Sequence, residues 1–266
     1  GTFVDASGVT CNGIARWNGK AYEALGDGLD GTIHAIAFHN GTLYAGGTFG
    51  SPPITNPNIA SWDGQSWQVK SVSSAGNVLT LLSHNGTLYC GTEFGLLARL
   101  KNGNWEEAAP IFNGAIQTIV SYNGDIIAGG AFTRTSGGYM PHIASFSDSA
   151  NTWKKLGGTE MDNIVHTLHV HKGKLYAGGE LYSYRKDKTM GFAKYGTEGW
   201  EMVLDTANDA NALTMYHWNN QTTEPAPTVR SLHTQQGGLF IGGEFMIAGA
   251  LIGTSGSGLG WVPDNG

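Results

Sequence analysis

A phrase of the form apolar-Tyr-Ala-Gly-Gly occurs five times in this chain, and successive copies begin 45, 38, 49 and 64 residues apart. Short strand-forming units that return about every fifty residues are typical of β-propellers and related repeat arrays. Because a single unit cannot bury its own apolar face, the whole array is the unit of folding. The copies are Leu43-Tyr44-Ala45-Gly46-Gly47, Leu88-Tyr89-Cys90-Gly91-Thr92, Ile126-Ile127-Ala128-Gly129-Gly130, Leu175-Tyr176-Ala177-Gly178-Gly179 and Leu239-Phe240-Ile241-Gly242-Gly243.

Each repeat is interpreted as four strands joined by short turns. The first strand is apolar and ends at a two-residue turn, which reads Asn-Gly in three copies. Asn-Gly between apolar runs is the strongest short hairpin signal, because both central residues of a type I′ turn need positive φ. The second strand is the repeated phrase, the third alternates apolar with polar residues, and the fourth carries an aromatic residue. The first strands are predicted at 33–38, 78–83, 116–121, 165–170 and 229–234.

These strands predict an all-β fold: one β-propeller domain of four-stranded antiparallel blades over residues 1–266. The chain starts with a third and a fourth strand, so residues 13–26 are expected to complete the sheet begun by residues 229–245 and to close five blades. Leu259-Gly260-Trp261 could instead form a further third strand, and the alternative is therefore six or more blades or part of a longer array. Residues 205–228 are interpreted as an insertion and residues 248–266 as an irregular tail.

Composition excludes two classes of function. The net charge is −6 and the densest basic cluster, at residues 185–188, is interrupted by an acid, so a nucleic-acid-binding surface is not expected. No run of 18 apolar residues occurs, so no membrane span is expected. Charged residues make up only 14% of the chain, against about 25% in average domains. Such sparsely charged β proteins are common outside cells, which predicts an extracellular or cell-surface location, alone or within a larger polypeptide or assembly.

The order of these features resembles the Kelch repeat, in which Gly-Gly after an apolar strand precedes another strand, a polar turn and a Trp. Residues 146–153 (Phe-Ser-Asp-Ser-Ala-Asn-Thr-Trp) resemble the Kelch segment between the third and fourth strands. Residues 59–67 and 24–31 resemble the Kelch-like repeats of secreted bacterial surface proteins and of a fungal cortical bud-site marker. Over about residues 1–247 the resemblance implies a propeller fold, but it leaves the activity open because one such fold hosts many functions.

Residues that break the repeat are the candidates for function. The second position of the first strand is mostly polar and varies between copies. Because first strands of propellers line the central channel, the side chains at this position are expected at the channel mouth. The loops after the second strand differ in length and carry residue types that favour recognition. The ring candidates are His34, Gln117, His166 and Arg230, with Leu79 in the second copy, and the loop candidates are Tyr139, Tyr182, Tyr184 and Arg185.

Three sites match the N-glycosylation motif, and recurring histidines are interpreted as structural. Asn220 lies in the 205–228 insertion and is the preferred glycan site, whereas Asn40 and Asn85 arise from the Asn-Gly-Thr turn of the repeat. His39, His84 and His171 share the position just before the turn, and a residue type that returns with the repeat predicts a structural role. No metal or cofactor is therefore expected.

The sequence favours a non-enzymatic binding or scaffold module that mediates protein–protein or adhesive contacts through its loop face or channel mouth. One alternative is a lectin-like propeller with a glycan partner. The other is a carbohydrate-active enzyme or a copper-dependent oxidase with its site at the channel mouth. Tyr216-His217 is similar to part of the copper site of galactose oxidase, a Kelch-type propeller enzyme, but no motif supplies the remainder of that site.

Overall fold

Strands dominate the computed structural model of the chain. It describes residues 1–49, 58–72, 76–157, 160–181, 191–197, 199–202, 214–216, 228–235, 238–248 and 257–263. Within these ranges there is no helix, and hence none with the length and hydropathy needed to cross a membrane. The chain divides into two compact units, Gly1–Ile119 and Val120–Gly266, and the expectation of a single domain stays a prediction.

The first unit contains two short hairpins and then two four-stranded antiparallel sheets. In each sheet, strands that are neighbours in sequence are also hydrogen-bonded neighbours. The hairpins are β1 (Asp5–Ala6) with β2 (Val9–Thr10) and β3 (Ala15–Trp17) with β4 (Tyr22–Ala24). The sheets are β5 (Gly31–His39), β6 (Thr42–Phe49), β7 (Ile59–Trp62) and β8 (Trp67–Lys70), then β9 (Val78–His84), β10 (Thr87–Thr92), β11 (Leu97–Lys101) and β12 (Asn104–Glu107).

Three further sheets follow along the chain. The boundary between the units falls within β13 (Ile116–Tyr122), which forms a sheet with β14 (Asp125–Gly130), β17 (Ile143–Ser147) and β18 (Thr152–Lys154). A small hairpin, β15 (Arg134–Thr135) with β16 (Gly138–Tyr139), lies between β14 and β17. The next sheet is β19 (Val165–His171), β20 (Lys174–Gly179), β21 (Phe192–Gly196) and β22 (Gly199–Met202). The last contains β23 (Thr214–Tyr216), β24 (Thr228–Gln235), β25 (Gly238–Ala248) and β26 (Ser257–Pro263).

The turn chemistry accounts for the first hairpin of each sheet. Asn40 and Gly41 have φ of 48° and 79°, and the equivalent pairs that begin at Asn85, Asn123 and Lys172 are also left-handed. These are the dihedrals of a type I′ turn, whose twist matches that of the flanking strands. The predicted first-strand hairpins are thus confirmed at these four positions. The predicted fifth turn, Gly237-Gly238, lies partly outside the described residues.

The last sheet corrects two expectations. Its third position is occupied by β26, which pairs Leu239 with Val262 and Gly242 with Leu259, whereas among the described strands those within residues 13–26 pair only with each other, as the β3–β4 hairpin. The sharing of one sheet by the two chain ends was therefore wrong, and so was the irregular tail at 248–266. Eight residues separate β25 from β26 in sequence, so this pairing closes a far shorter loop than the expected one. Five blades are not confirmed.

The 205–228 insertion is described only in part. Within it, Thr214–Tyr216 forms β23, which pairs with the end of β25 through Thr214 and Ala248. Thr228 begins β24. The rest of the insertion, including Asn220, lies outside the described residues.

The first glycine of the repeated phrase sets how closely consecutive sheets pack. A Cβ added to Gly46 would overlap Val78 at the start of β9, and one added to Gly178 would overlap Val229 in β24. Because Val78 and Val229 are fully buried, a side chain at either glycine would push two sheets apart. Glycine at this position is thus a condition for forming the core between sheets.

Candidate functional site

The mostly polar position of the first strands lies on a β-bulge. In β5, Ile33 pairs with Gly47 and Ala35 pairs with Gly46, so His34 has no residue opposite it. Bulges redirect the extra side chain and are common beside functional sites. The same register shift occurs in β9, β19 and β24, where the extra residues are Leu79, His166 and Arg230.

The second glycine of the repeated phrase makes room for the bulge. A Cβ on Gly47 would overlap the carbonyl oxygen of Thr32, and equivalent overlaps occur at Gly179 and Gly243. The bulged first strand comes so close to the second that only a hydrogen atom fits between them. The second glycine therefore permits the bulge in each of these repeats, while the bulge side chain differs between them.

In the second unit, two bulge residues and two glutamates form a charged quartet: His166, Glu180, Arg230 and Glu244. Both glutamates directly follow a Gly-Gly pair. Arg230 donates from Nε and Nη2 to Glu244 Oε1, at 3.1 and 3.0 Å. His166 Nε2 lies 3.1 Å from Glu180 Oε1 and 3.1 Å from Arg230 Nη1. The quartet thus connects the bulges of β19 and β24.

One nitrogen of the quartet faces both a donor and an acceptor. His166 Nε2 accepts from Arg230 only when it carries no proton, and it donates to Glu180 only when it carries one. Burial lowers the pKa of His166, Glu180 opposes this effect, and the charge of Arg230 adds to it. The neutral imidazole is therefore favoured at pH 7. A change at Arg230 or at Glu180 decides which of the two contacts Nε2 of His166 makes.

The corresponding residues of the first unit have other surroundings. His34 is exposed, and burial of part of its ring lowers its pKa while the nearby carboxylate of Glu93 acts in the opposite direction. Glu93 accepts a hydrogen bond from Nδ2 of Asn77 at 2.9 Å. Gln117 is half-buried in β13. The ring candidates thus differ in setting, and a side-chain network joins only His166 and Arg230 among the hydrogen bonds described.

Lowered histidine pKa values predict that stability falls with acidification. Burial lowers the pKa of His34, His142, His166 and His169 in the folded protein, whereas unfolded histidine titrates at about 6.5. Below that pH the unfolded chain binds more protons than the folded one, so the free energy of unfolding decreases. We expect the thermal midpoint to decrease from pH 7 to pH 5, with a shallower slope for His169→Gln. A thermal midpoint that stays constant or rises from pH 7 to pH 5 would contradict the lowered pKa values of these histidines.

The recurring histidines before the turns have a structural role. Nδ1 of His39 lies 3.0 Å from the hydroxyl of Ser83 in the next first strand, and Nδ1 of His171 lies 3.0 Å from that of Thr234. Nδ2 of Asn40 lies 3.1 Å from Nε2 of His39. His39 thus contacts both its own turn and the neighbouring sheet, and His171 contacts the neighbouring sheet; because both are buried, these contacts hold consecutive sheets together.

The glycan candidates Asn40 and Asn85 are exposed turn residues. Their Nδ2 atoms, to which a glycan would be attached, lie 3.1 and 3.0 Å from Nε2 of the preceding histidine. Their glycosylation stays a prediction. The remaining loop and glycan candidates, Tyr182, Tyr184, Arg185 and Asn220, lie outside the described residues.

Tyr139 is the loop candidate that the structure describes. It lies in β16 with 56% of its surface exposed, and Nζ of Lys155 is 5.4 Å from the ring centroid. Lys155 also contacts Glu160 at 2.7 Å. A cavity of about 230 Å³ beside this pair is lined by Pro141, Ile143, Lys155, Leu156, Gly157 and Glu160.

Sequence reasoning missed the glutamates of the quartet. The position after Gly-Gly reads Thr48, Ala131, Glu180 and Glu244, with Glu93 in the copy that has Thr92 as its second residue. An alignment of the five phrases that included the next residue would have found these glutamates, because that position is acidic in three copies and is threonine or alanine in the other two.

Comparison with solved structures assigns the fold. The chain is similar to the extracellular domain of the one-component system BT4673 from B. thetaiotaomicron, with 12% identity and a TM-score of 0.52 over 94% of this chain and 35% of that one. It is also similar to YCF48 bound to D1 peptide, with 15% identity and a TM-score of 0.51 over 91% of this chain and 71% of that one. The computationally designed Ika8 protein matches 84% of this chain and 60% of its own length, with 16% identity and a TM-score of 0.48.

The chain thus spans less than two thirds of two of these three structures. No protein-family model matches the sequence, and no curated protein matches it. At these identities the likeness to BT4673 and YCF48 establishes the fold alone. Membership of the Kelch family stays a prediction. The chain has an all-β fold of the propeller class, built from four-stranded antiparallel sheets.

Proposed function

We propose that this chain is a non-enzymatic module that binds a protein partner at the cell surface or outside the cell, and that the charged quartet contacts the partner. The observation that carries this proposal is the backbone beneath the quartet: glycines that recur with the repeat leave room for the bulges, and charged side chains whose types vary between repeats lie on or beside those bulges. Rigid scaffolds with variable side chains are typical of recognition surfaces. One structural neighbour is an extracellular domain and another was solved with a bound peptide, which supports this class of function.

The charge of the quartet favours a basic partner. Two carboxylates face one guanidinium while His166 is neutral at pH 7, so the quartet carries one net negative charge. Glu244 is 72% exposed and Glu180 is 35% exposed, so both remain accessible. A lysine or arginine side chain of a peptide would gain a charge-assisted hydrogen bond from either glutamate.

A peptide array printed beside a glycan array tests the proposal. We expect the protein to bind a subset of random 15-residue peptides that is enriched in lysine and arginine. Glu180→Gln together with Glu244→Gln should weaken that binding at least tenfold, which corresponds to about 1.4 kcal/mol. Glu201→Gln is the matched control in the same unit, because Glu201 is also exposed and pairs with Lys194 outside the quartet.

Three outcomes would overturn the proposal. Saturable binding to glycans without peptide binding would favour the lectin. Stoichiometric copper with oxidase turnover, or hydrolysis of a carbohydrate, would favour an enzyme. Peptide binding that the Glu201 control weakens as much as the double variant would remove the quartet from the site.

A further inference from the structure

His166 lies where it can hydrogen-bond only one of two charged neighbours at a time. Its Nε2 atom is 3.1 Å from Oε1 of Glu180 and 3.1 Å from Nη1 of Arg230. Without a proton this nitrogen accepts from the guanidinium, and with a proton it donates to the carboxylate. The two hydrogen bonds therefore exclude each other, and the protonation of one ring nitrogen selects between them.

The unprotonated nitrogen leaves Glu180 in need of a donor. While Nε2 of His166 accepts from Arg230, it turns a lone pair towards Oε1 of Glu180, and two acceptors face each other. Glu180 is 35% exposed, whereas the His166 side chain is only 10% exposed. A lysine or arginine side chain of a partner could reach the carboxylate and would supply the donor that the ring withholds.

The protonated ring satisfies Glu180 within the protein. Nε2 then donates to Oε1 in a charge-assisted hydrogen bond, and the quartet changes from one net negative charge to none. Arg230 loses its acceptor on His166 but keeps both hydrogen bonds to Glu244, so the guanidinium can stay in place. A basic partner would then meet a neutral quartet whose carboxylates are both paired.

The groups around His166 place this exchange on the acidic side of neutrality. Burial has the largest effect and lowers the pKa of His166. Among the described residues, Glu180 directly after β20 and Glu244 in β25 act against this effect, while Arg230 in β24 adds to it. The pKa of His166 therefore lies below the usual value for histidine, which is about 6.5.

We propose, on the basis of the function proposed for the quartet, that protonation of His166 releases the basic partner. Because linkage is reciprocal, the bound partner in turn disfavours the proton on His166. The affinity is then highest above the pKa of His166 in the free protein, and it decreases as the pH falls through that value. His166 is thus the residue that makes binding at the quartet depend on pH.

NMR of the histidine rings tests the exchange of hydrogen bonds without a partner. We expect the ¹⁵N shift of His166 Nε2 to report an unprotonated nitrogen at pH 7 and a titration midpoint below about 6.5. Glu180→Gln should lower this midpoint and Arg230→Met should raise it. His169→Gln is the matched control, because His169 lies in the same strand outside the quartet. A midpoint that neither quartet variant shifts would overturn the proposal.

Fluorescence anisotropy at pH 7 and pH 5 tests the release. The probe is the tightest-binding array peptide that contains lysine or arginine but no histidine or acidic residue, with an acetylated amino terminus, so its own charge is constant. We expect about fivefold weaker binding at pH 5. His166→Gln should abolish this difference, whereas His169→Gln should retain it. Glutamine suits the bulge because the third repeat has Gln117 at the equivalent position.

The same titrations separate the pH dependence from the proposed function itself. Equal affinity at pH 7 and pH 5 would overturn the release by His166, and so would a pH dependence that persists in His166→Gln. In either case, weaker binding by the variant with Glu180→Gln and Glu244→Gln would still support the quartet as the partner site. Absence of peptide binding at both pH values would overturn the proposed function and the release together.

Discussion

Replacement of Gly178 by alanine is expected to destabilise the protein by about 2 kcal/mol. The added methyl group would overlap Val229 and lie 2.9 Å from Cγ2 of Thr167. Overpacking of a close-packed interior costs about 1–3 kcal/mol. Because Val229 is fully buried, we expect the cost at Gly178 near the upper end of this range. Alanine also restricts the unfolded chain, which offsets about 0.4–1 kcal/mol. Urea unfolding followed by tryptophan fluorescence measures the difference.

A matched glycine and a double variant separate this clash from a general effect of alanine. A Cβ on Gly157 meets no atom within 4 Å, so Gly157→Ala should change stability by less than about 0.5 kcal/mol. Combining Gly178→Ala with Val229→Ala should recover part of the loss, with a coupling of about 1 kcal/mol. The packing role of the first glycine of the repeated phrase would be contradicted if Gly157→Ala destabilised the protein as much as Gly178→Ala. It would also be contradicted if the losses of stability from Gly178→Ala and Val229→Ala simply added in the double variant.

The architecture was predictable because its signals are local. Asn40-Gly41 specifies a type I′ turn from two residues, and the apolar pattern beside it specifies the strands that the turn joins. Within each first hairpin the strand pairing follows because the two-residue turn is too short to allow any other. The structure confirms this turn at four positions and shows four-stranded antiparallel sheets.

The register shift and the partners of the quartet were not predictable in the same way. His34 and His166 occupy one repeat position, but only His166 has an arginine on the next bulge. A bulge is a change of register, which the alternation of residue types does not reveal. Pairing of β26 with β25 was foreseen only as an alternative, because the third-strand pattern of 259–261 competed with the general advantage of removing an open edge.

Two histidines in one strand should differ strongly in the loss of stability that alanine causes. His39→Ala removes a buried ring that lies 3.0 Å from Ser83 Oγ and 3.1 Å from Asn40 Nδ2. The lost hydrogen bonds and the resulting cavity should cost about 2–3 kcal/mol. His34 is exposed on its bulge, so His34→Ala should change stability by less than about 0.5 kcal/mol.

Chemical unfolding of both variants, with far-UV circular dichroism as the second probe, gives the comparison. Histidine occupies the position of His39 in three copies, whereas the residue type at the position of His34 varies between copies, so a large loss at His39 alone supports the sorting of residues into repeated, structural ones and variable, available ones. Ser83→Ala should reproduce about 1 kcal/mol of the His39 effect, because it removes one of the two hydrogen bonds and leaves the ring in place. A loss at His34 as large as that at His39 would contradict this sorting, since an exposed bulge residue would then carry part of the stability of the sheet.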